Sequence, residues 1–71
     1  METDPDLLAF GKAVRQLRLA RELSQEELAD RSELHRNYIG GIERGERNVG
    51  IKAVFALARG LNCKVADFFS S

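Results

Sequence analysis

The chain has one cysteine, one proline, no tryptophan and no net charge. It also has no apolar run near the ~18–20 residues of a membrane span. A lone cysteine closes no internal disulfide and supplies no zinc framework, so a cytoplasmic setting is expected. The N-terminus is acidic at Glu2, Asp4 and Asp6, where a signal peptide would need a basic flank. Seventy-one residues make one domain, 1–71, too small for a large enzyme cleft. A chain this short buries only about 60% of its unfolded surface, so dimerisation would help it. The charge balance, eleven bases against eleven acids, argues weakly against a nucleic-acid partner. Its distribution argues the other way. Residues 1–10 hold three acids and no base, which leaves eleven bases against eight acids over 11–71. Eight of the eleven bases are Arg, the side chain suited to planar, bidentate recognition. A basic face can exist on a protein that is not basic.

What remains is helical spacing throughout, with no Val/Ile/Thr-rich alternation to suggest a strand. Asp4 as N-cap and Pro5 at the first helical position predict a helix to about Arg21. Its inner face is Leu7, Phe10, Val14 and Leu17. Ser24-Gln25-Glu26-Glu27 has the form of a capping box and starts a short helix ending near Arg31, with Leu28 and Ala29 inward. After a turn, a third helix runs from about Arg36 to Arg44, with Ile39 and Ile42 inward and Gly45 as its stop. A fourth runs from about Ile51 to Arg59, with Ile51, Val54, Leu57, Ala58 and then Leu61 on one face. Asn62 ends it in the left-handed conformation. Residues 65–69 make one or two last turns that bring Val65, Phe68 and Phe69 to the core. The expected fold is all-α, a compact bundle of five short helices.

Two short helices joined by a tight turn, at about 24–45, match a helix-turn-helix. Arg36, Asn37, Tyr38, Gly40, Gly41, Arg44, Arg47 and Asn48 crowd into the second of these helices and the loop after it. Arg forks match guanine O6/N7 and Asn matches adenine N6/N7. The exposed first residues of such a helix are those that reach base edges. Gly40-Gly41 breaks the local rule, since each Gly inside a helix costs ~0.8–1 kcal/mol relative to Ala. Two readings stand: bare backbone lets the helix sit deep in a groove, or the third helix packs closely on the second.

Over residues 10–69 the sequence resembles the phage-repressor (Cro/Xre-type) helix-turn-helix family, the lambda-repressor-like DNA-binding domain. The resemblance is carried by Val14-Arg15-Gln16-Leu17-Arg18, by Leu23-Ser24-Gln25-Glu26-Glu27-Leu28-Ala29, by Tyr38-Ile39, by Ile42-Glu43-Arg44-Gly45 and by Arg47-Asn48. Within the family, the stretch from His35 to Asn48 is most similar to the controller proteins of restriction–modification systems. The resemblance implies base contacts from Arg36, Asn37 and Arg47. It implies backbone contacts from Gln25 and Tyr38, with Arg44, Asn48 and His35 as further candidates. Arg44 has a second reading, as a charge favouring the negative end of its helix. It also implies an internal ion pair between Arg18 and Glu43. Where the family has glycines, after helix one and in the turn, this chain has Glu22 and Glu33. If those positions keep a left-handed backbone, each is strained by ~1 kcal/mol or more.

His35 has no second His and no Cys, Asp and Glu cluster at ligand spacing, so no metal site and no catalytic residue is expected. Cys63 reads as a small apolar core residue. Phe55 falls off the inward stripe, and adjacent Phe68 and Phe69 cannot share one helix face. Exposed aromatics mark a contact surface, so Phe55 and Phe69 are the expected homodimer interface. The functional expectation is a sequence-specific, DNA-binding transcriptional regulator without enzymatic activity, cofactor or small-molecule ligand. It would bind duplex DNA with inverted-repeat half-sites as a homodimer and control a restriction–modification operon, its own promoter included. A prophage repressor or antitoxin-type DNA binder is the near alternative, and a helical protein–protein adaptor the rival from another class.

Overall fold

A computed structural model describes residues 4–69. It contains α1 (Pro5–Ala20), α2 (Gln25–Ser32), α3 (Arg36–Glu43) and α4 (Ile51–Leu61), then a one-turn 3-10 helix at Val65–Phe68. The expected fifth helix is thus corrected to a single tight turn. Four residues leave no room for a succession of α-type hydrogen bonds. No strand occurs among the described residues.

The helix starts follow local chemistry. The Asp4 carboxylate accepts from the Asp6 and Leu7 N–H groups at 2.8 and 3.4 Å, and Pro5 opens α1. At α2 the Glu27 N–H donates to the Ser24 hydroxyl at 3.0 Å, and the Ser24 N–H donates to Glu27 Oε1 at 2.9 Å. These bonds satisfy donors that a helix N-terminus otherwise leaves to solvent.

The helix ends share one device. In each of the four α-helices a residue with positive φ follows the last turn, and two backbone bonds reach back across it, the geometry of a Schellman motif. For α1 these are Leu23 N–H to the Arg18 carbonyl and Glu22 N–H to the Leu19 carbonyl; for α2 they are Leu34 to Ala29 and Glu33 to Asp30. For α3 they are Glu46 to Gly41 and Gly45 to Ile42; for α4, Cys63 to Ala58 and Asn62 to Arg59. The pivots are Glu22 (φ 55°), Glu33 (φ 55°), Gly45 (φ 74°) and Asn62 (φ 52°). Only one of them is glycine. Glu22 and Glu33 do keep the left-handed backbone, at ~1–2 kcal/mol each. In three cases the residue after the pivot turns inward. Leu23 is buried, and Leu34 and Cys63 pack against the core.

That core joins Phe10 and Val14 of α1, Leu28 and Ala29 of α2, Ile39 and Ile42 of α3, Val54, Leu57, Ala58 and Leu61 of α4, and Phe68. Two glycines set its closest approaches. A Cβ on Gly11 would collide with the Ile42 carbonyl oxygen, so α1 lies directly on the backbone of α3. A Cβ on Gly60 would collide with the Ser32 hydroxyl, so α4 lies as closely on α2. Ile51, expected inward, is 66% exposed. It sits in the first turn of α4, one turn short of the buried stretch, and Val49 of the preceding loop packs against the core. Leu7 and Leu17 reach only the half-buried edge of α1.

Candidate nucleic-acid interface

The α2–turn–α3 unit and the loop after it form an open cleft lined by Arg18, Ser24, Gln25, Glu26, Arg36, Asn37, Gly40, Arg44 and Arg47. Arg36 and Asn37 are the first two residues of α3, and both are exposed. Arg47 arrives from the loop, whose course is set by the Schellman turn at Gly45. Gln25 opens α2 on the facing wall. His35 lies just outside, in a second depression with Glu26, Asp30 and Asn37, and makes no capping hydrogen bond to α3. Tyr38 is half-buried against the core. Asn48 is exposed in the loop. Tyr38 and Asn48 do not line the cleft itself.

At the base of the cleft the Arg18 guanidinium grips Glu43 through two parallel bonds. Nε donates to Oε2 at 2.7 Å, and the Nη2 amine donates to Oε1 at 3.0 Å. Its Nη1 amine donates to the Leu23 carbonyl at 2.7 Å. The two side chains are 10% and 4% exposed. The Glu43 hydrogen bond holds the Arg18 pKa above its ordinary value; burial opposes this, and the carboxylate charge adds to it. Glu43 Oε1 also accepts from the Gln25 amide at 3.1 Å. The pair therefore ties the end of α1, the start of α2 and the end of α3 together beneath the exposed arginines.

Those arginines are partly neutralised by neighbours. The Arg36 Nη1 amine donates to Glu26 Oε1 at 2.8 Å, and Arg44 Nε donates to Glu46 Oε1 at 3.0 Å. Both pairs are well exposed. Among the described residues Arg47 has no ion-pair partner. Sequence reasoning missed Glu26 as part of this surface, because its partner Arg36 lies ten residues away and nothing local joins the two. The available signal was its place in the first turn of α2, next to Gln25.

Gly40 and Gly41 lie beneath side chains that line the cleft. A Cβ on Gly40 would meet the side chains of Arg44 and Gln25, and one on Gly41 would meet the stem of Arg47. What lies over both glycines is side chain, mostly arginine, and not the backbone of α2.

Away from the cleft, Phe55 is 49% and Phe69 66% exposed. Phe68 is buried, 5.1 Å from Phe10 between ring centroids, and Phe69 leans on the same ring at 5.8 Å. Cys63 is half-buried, and its burial pushes the thiol pKa up. No described helix is long and apolar enough to cross a membrane.

Residues 14–68 match the helix-turn-helix family. The control protein C.BamHI of Bacillus amyloliquefaciens is 44% identical over 61 residues, which are 84% of this chain and 75% of that protein. The restriction–modification controller protein C.AhdI of Aeromonas hydrophila superposes with a TM-score of 0.91 at 45% identity, covering 93% of this chain and all of that one. The controller protein C.Esp1396I, solved as a tetramer on its natural 35 base-pair operator, gives a TM-score of 0.86 at 36% identity, covering 93% of this chain and 87% of its own. With this match over most of its length, and with relatives that are controller proteins of restriction–modification systems, the chain belongs to the Cro/Xre-type helix-turn-helix family.

Proposed function

We propose that this protein is a sequence-specific DNA-binding regulator of transcription. It controls a restriction–modification operon, its own promoter included, as a homodimer on inverted-repeat DNA. The observation that carries this reading is the likeness to C.AhdI, which spans the whole of that chain and includes the α2–turn–α3 unit. In this reading α3 enters the major groove by its N-terminal end. Arg36 leaves Glu26 to reach a base edge, Asn37 reads beside it, and Arg47 reaches in from the loop. Gln25, Tyr38, Arg44, Asn48 and His35 fix the register on phosphates, which position a reader without specifying sequence. Phe55 and Phe69 join two copies, with exposed Ile51 one turn before Phe55 on α4. The two-fold axis then sets half-sites about one helical turn apart, ~34–36 Å.

A gel-shift titration against the duplex upstream of the protein's own gene tests this. Affinity should fall steeply with salt, with a log–log slope of about −0.9 per neutralised phosphate. Salt-independent binding, or binding to no duplex, would rule the reading out and leave a helical adaptor.

A further inference from the structure

Gly41 lies inside α3 with an ordinary helical backbone, so conformation does not require a glycine there. Its surroundings do. A Cβ at Gly41 would stand 2.7 Å from Arg47 Cγ, 3.1 Å from Nε and 3.4 Å from Cδ. These atoms include the stem of the side chain, close to its own backbone, and not only its mobile tip. That backbone is itself tied down. The Glu46 N–H donates to the Gly41 carbonyl at 2.9 Å, one residue before Arg47. Gly41 thus holds Arg47 twice, by a main-chain bond through Glu46 and by a flat surface on which the aliphatic stem lies.

We infer that Gly41 is a positioning residue for Arg47: its missing side chain is the track along which Arg47 crosses α3 into the cleft. The inference rests on the DNA-binding reading above and deepens it. An arginine has many rotamers, and ordering it costs entropy when it binds. Laying the stem on bare backbone removes part of that cost beforehand. Arg47 is also the cleft arginine without an ion-pair partner among the described residues, so packing on Gly41 takes the place of the carboxylates that hold Arg36 and Arg44. An alanine at 41 would be the better helix former, yet it would lift the stem off the helix and turn the guanidinium toward solvent.

The test is a selection from a randomised duplex pool with wild type, Gly41→Ala, Arg47→Ala and the double variant, followed by affinity measurement on the duplex that the wild type enriches. Gly41→Ala should melt at or above the wild-type temperature. It should lose the base preference that Arg47→Ala loses, and both should weaken binding roughly 5- to 150-fold, the range of one good base contact. The double variant should bind no worse than Arg47→Ala alone, because the two changes remove the same contact. Nuclear Overhauser contacts between the Gly41 Hα protons and the Arg47 side chain should be present in the free protein and lost in Gly41→Ala. Additive losses would overturn the inference and assign the glycine to direct approach of DNA. A Gly41→Ala protein that is unfolded, and stays so with Arg47→Ala, would overturn it in favour of close helix packing. A wild type that enriches no duplex removes the DNA reading and this inference with it. A Gly41→Ala protein that shares the wild type's duplex and affinity overturns this inference alone.

Discussion

Replacing Glu43 by Gln leaves the Arg18 guanidinium buried, charged and facing an amide that can no longer balance it. Arg18 makes two bonds to Glu43, at 2.7 and 3.0 Å, and a third to the Leu23 carbonyl at 2.7 Å. In Glu43→Gln one acceptor oxygen becomes an NH₂ group, so a donor meets a donor. Breaking a buried pair from one side costs roughly 3–5 kcal/mol. At ~0.05–0.15 kcal/mol per residue, a chain of this length has only about 4–11 kcal/mol of total stability. At ~4–8 °C per kcal/mol, even the lower loss should depress Tm by about 12 °C or more. Arg18→Met should cost a comparable amount, because it leaves the buried Glu43 carboxylate with the Gln25 amide but no countercharge and orphans the Leu23 carbonyl. Arg18→Met with Glu43→Leu should recover most of it, since a buried pair replaced by apolar groups of similar size is often neutral. The residual loss is ~1 kcal/mol for the Leu23 carbonyl. Urea denaturation followed by circular dichroism of the wild type, Arg18→Met, Glu43→Leu and the double variant gives the four stabilities of the cycle. If the single losses add in the double variant to within ~0.5 kcal/mol, the two residues are not coupled and the reasoning fails.

Arg36→Ala should weaken operator binding by roughly 1–3 kcal/mol and relax preference at one or two base pairs per half-site; an unchanged preference would mean that Arg36 touches only phosphate. Glu27 should give α2 an acid-sensitive start. The Ser24 N–H, followed by the Ser24 hydroxyl, lowers its pKa below the ordinary 4.5. A carboxylate with a depressed folded pKa contributes stability above the unfolded value and loses it as pH falls through the folded one. Wild type and Glu27→Gln should therefore differ in melting temperature at neutral pH and converge in acid below 4.5; parallel curves would count against the capping box. Phe55→Ala should weaken self-association and operator binding together, with little change in helicity, as followed by sedimentation over a range of concentrations; undiminished dimerisation would move the interface away from Phe55.

Local chemistry made the starts of α1 and α2 legible. Asp4-Pro5 and Ser24 with Glu27 mark them within four residues, and Gly45 and Asn62 mark two of the ends. The ends at Glu22 and Glu33 show only as departures from a pattern, because a left-handed glutamate has no compositional signature. Ile51 was misplaced because helical spacing fixes a direction but not how far along the helix the neighbouring elements reach. The closing turn was overcounted as a helix for the same reason, since apolar content at Val65 and Phe68 marks burial without fixing length. Nothing local joins Arg18 to Glu43, which lie 25 residues apart, and nothing local marks Glu26 as the partner of Arg36. Gly11 and Gly60 are contacts between elements distant in sequence, and from the sequence alone they are only glycines in helices.

The contact of Gly11 with the Ile42 backbone decides how far the recognition element can be treated as a detachable part. α3 has eight residues, well short of the ~12–15 at which isolated helices become even marginal in water. Its helicity and its tilt are borrowed. α1 supplies both, by backbone contact at Gly11 and by the Arg18 grip on Glu43 one residue beyond. Segment 24–45 cut out and grafted onto another scaffold would lose Arg18 and Arg47 from the cleft and, with α1, the angle at which α3 is presented. The angle of α3 is therefore set at position 11, where any side chain would meet the Ile42 and Glu43 backbone and break the contact on which α3 depends.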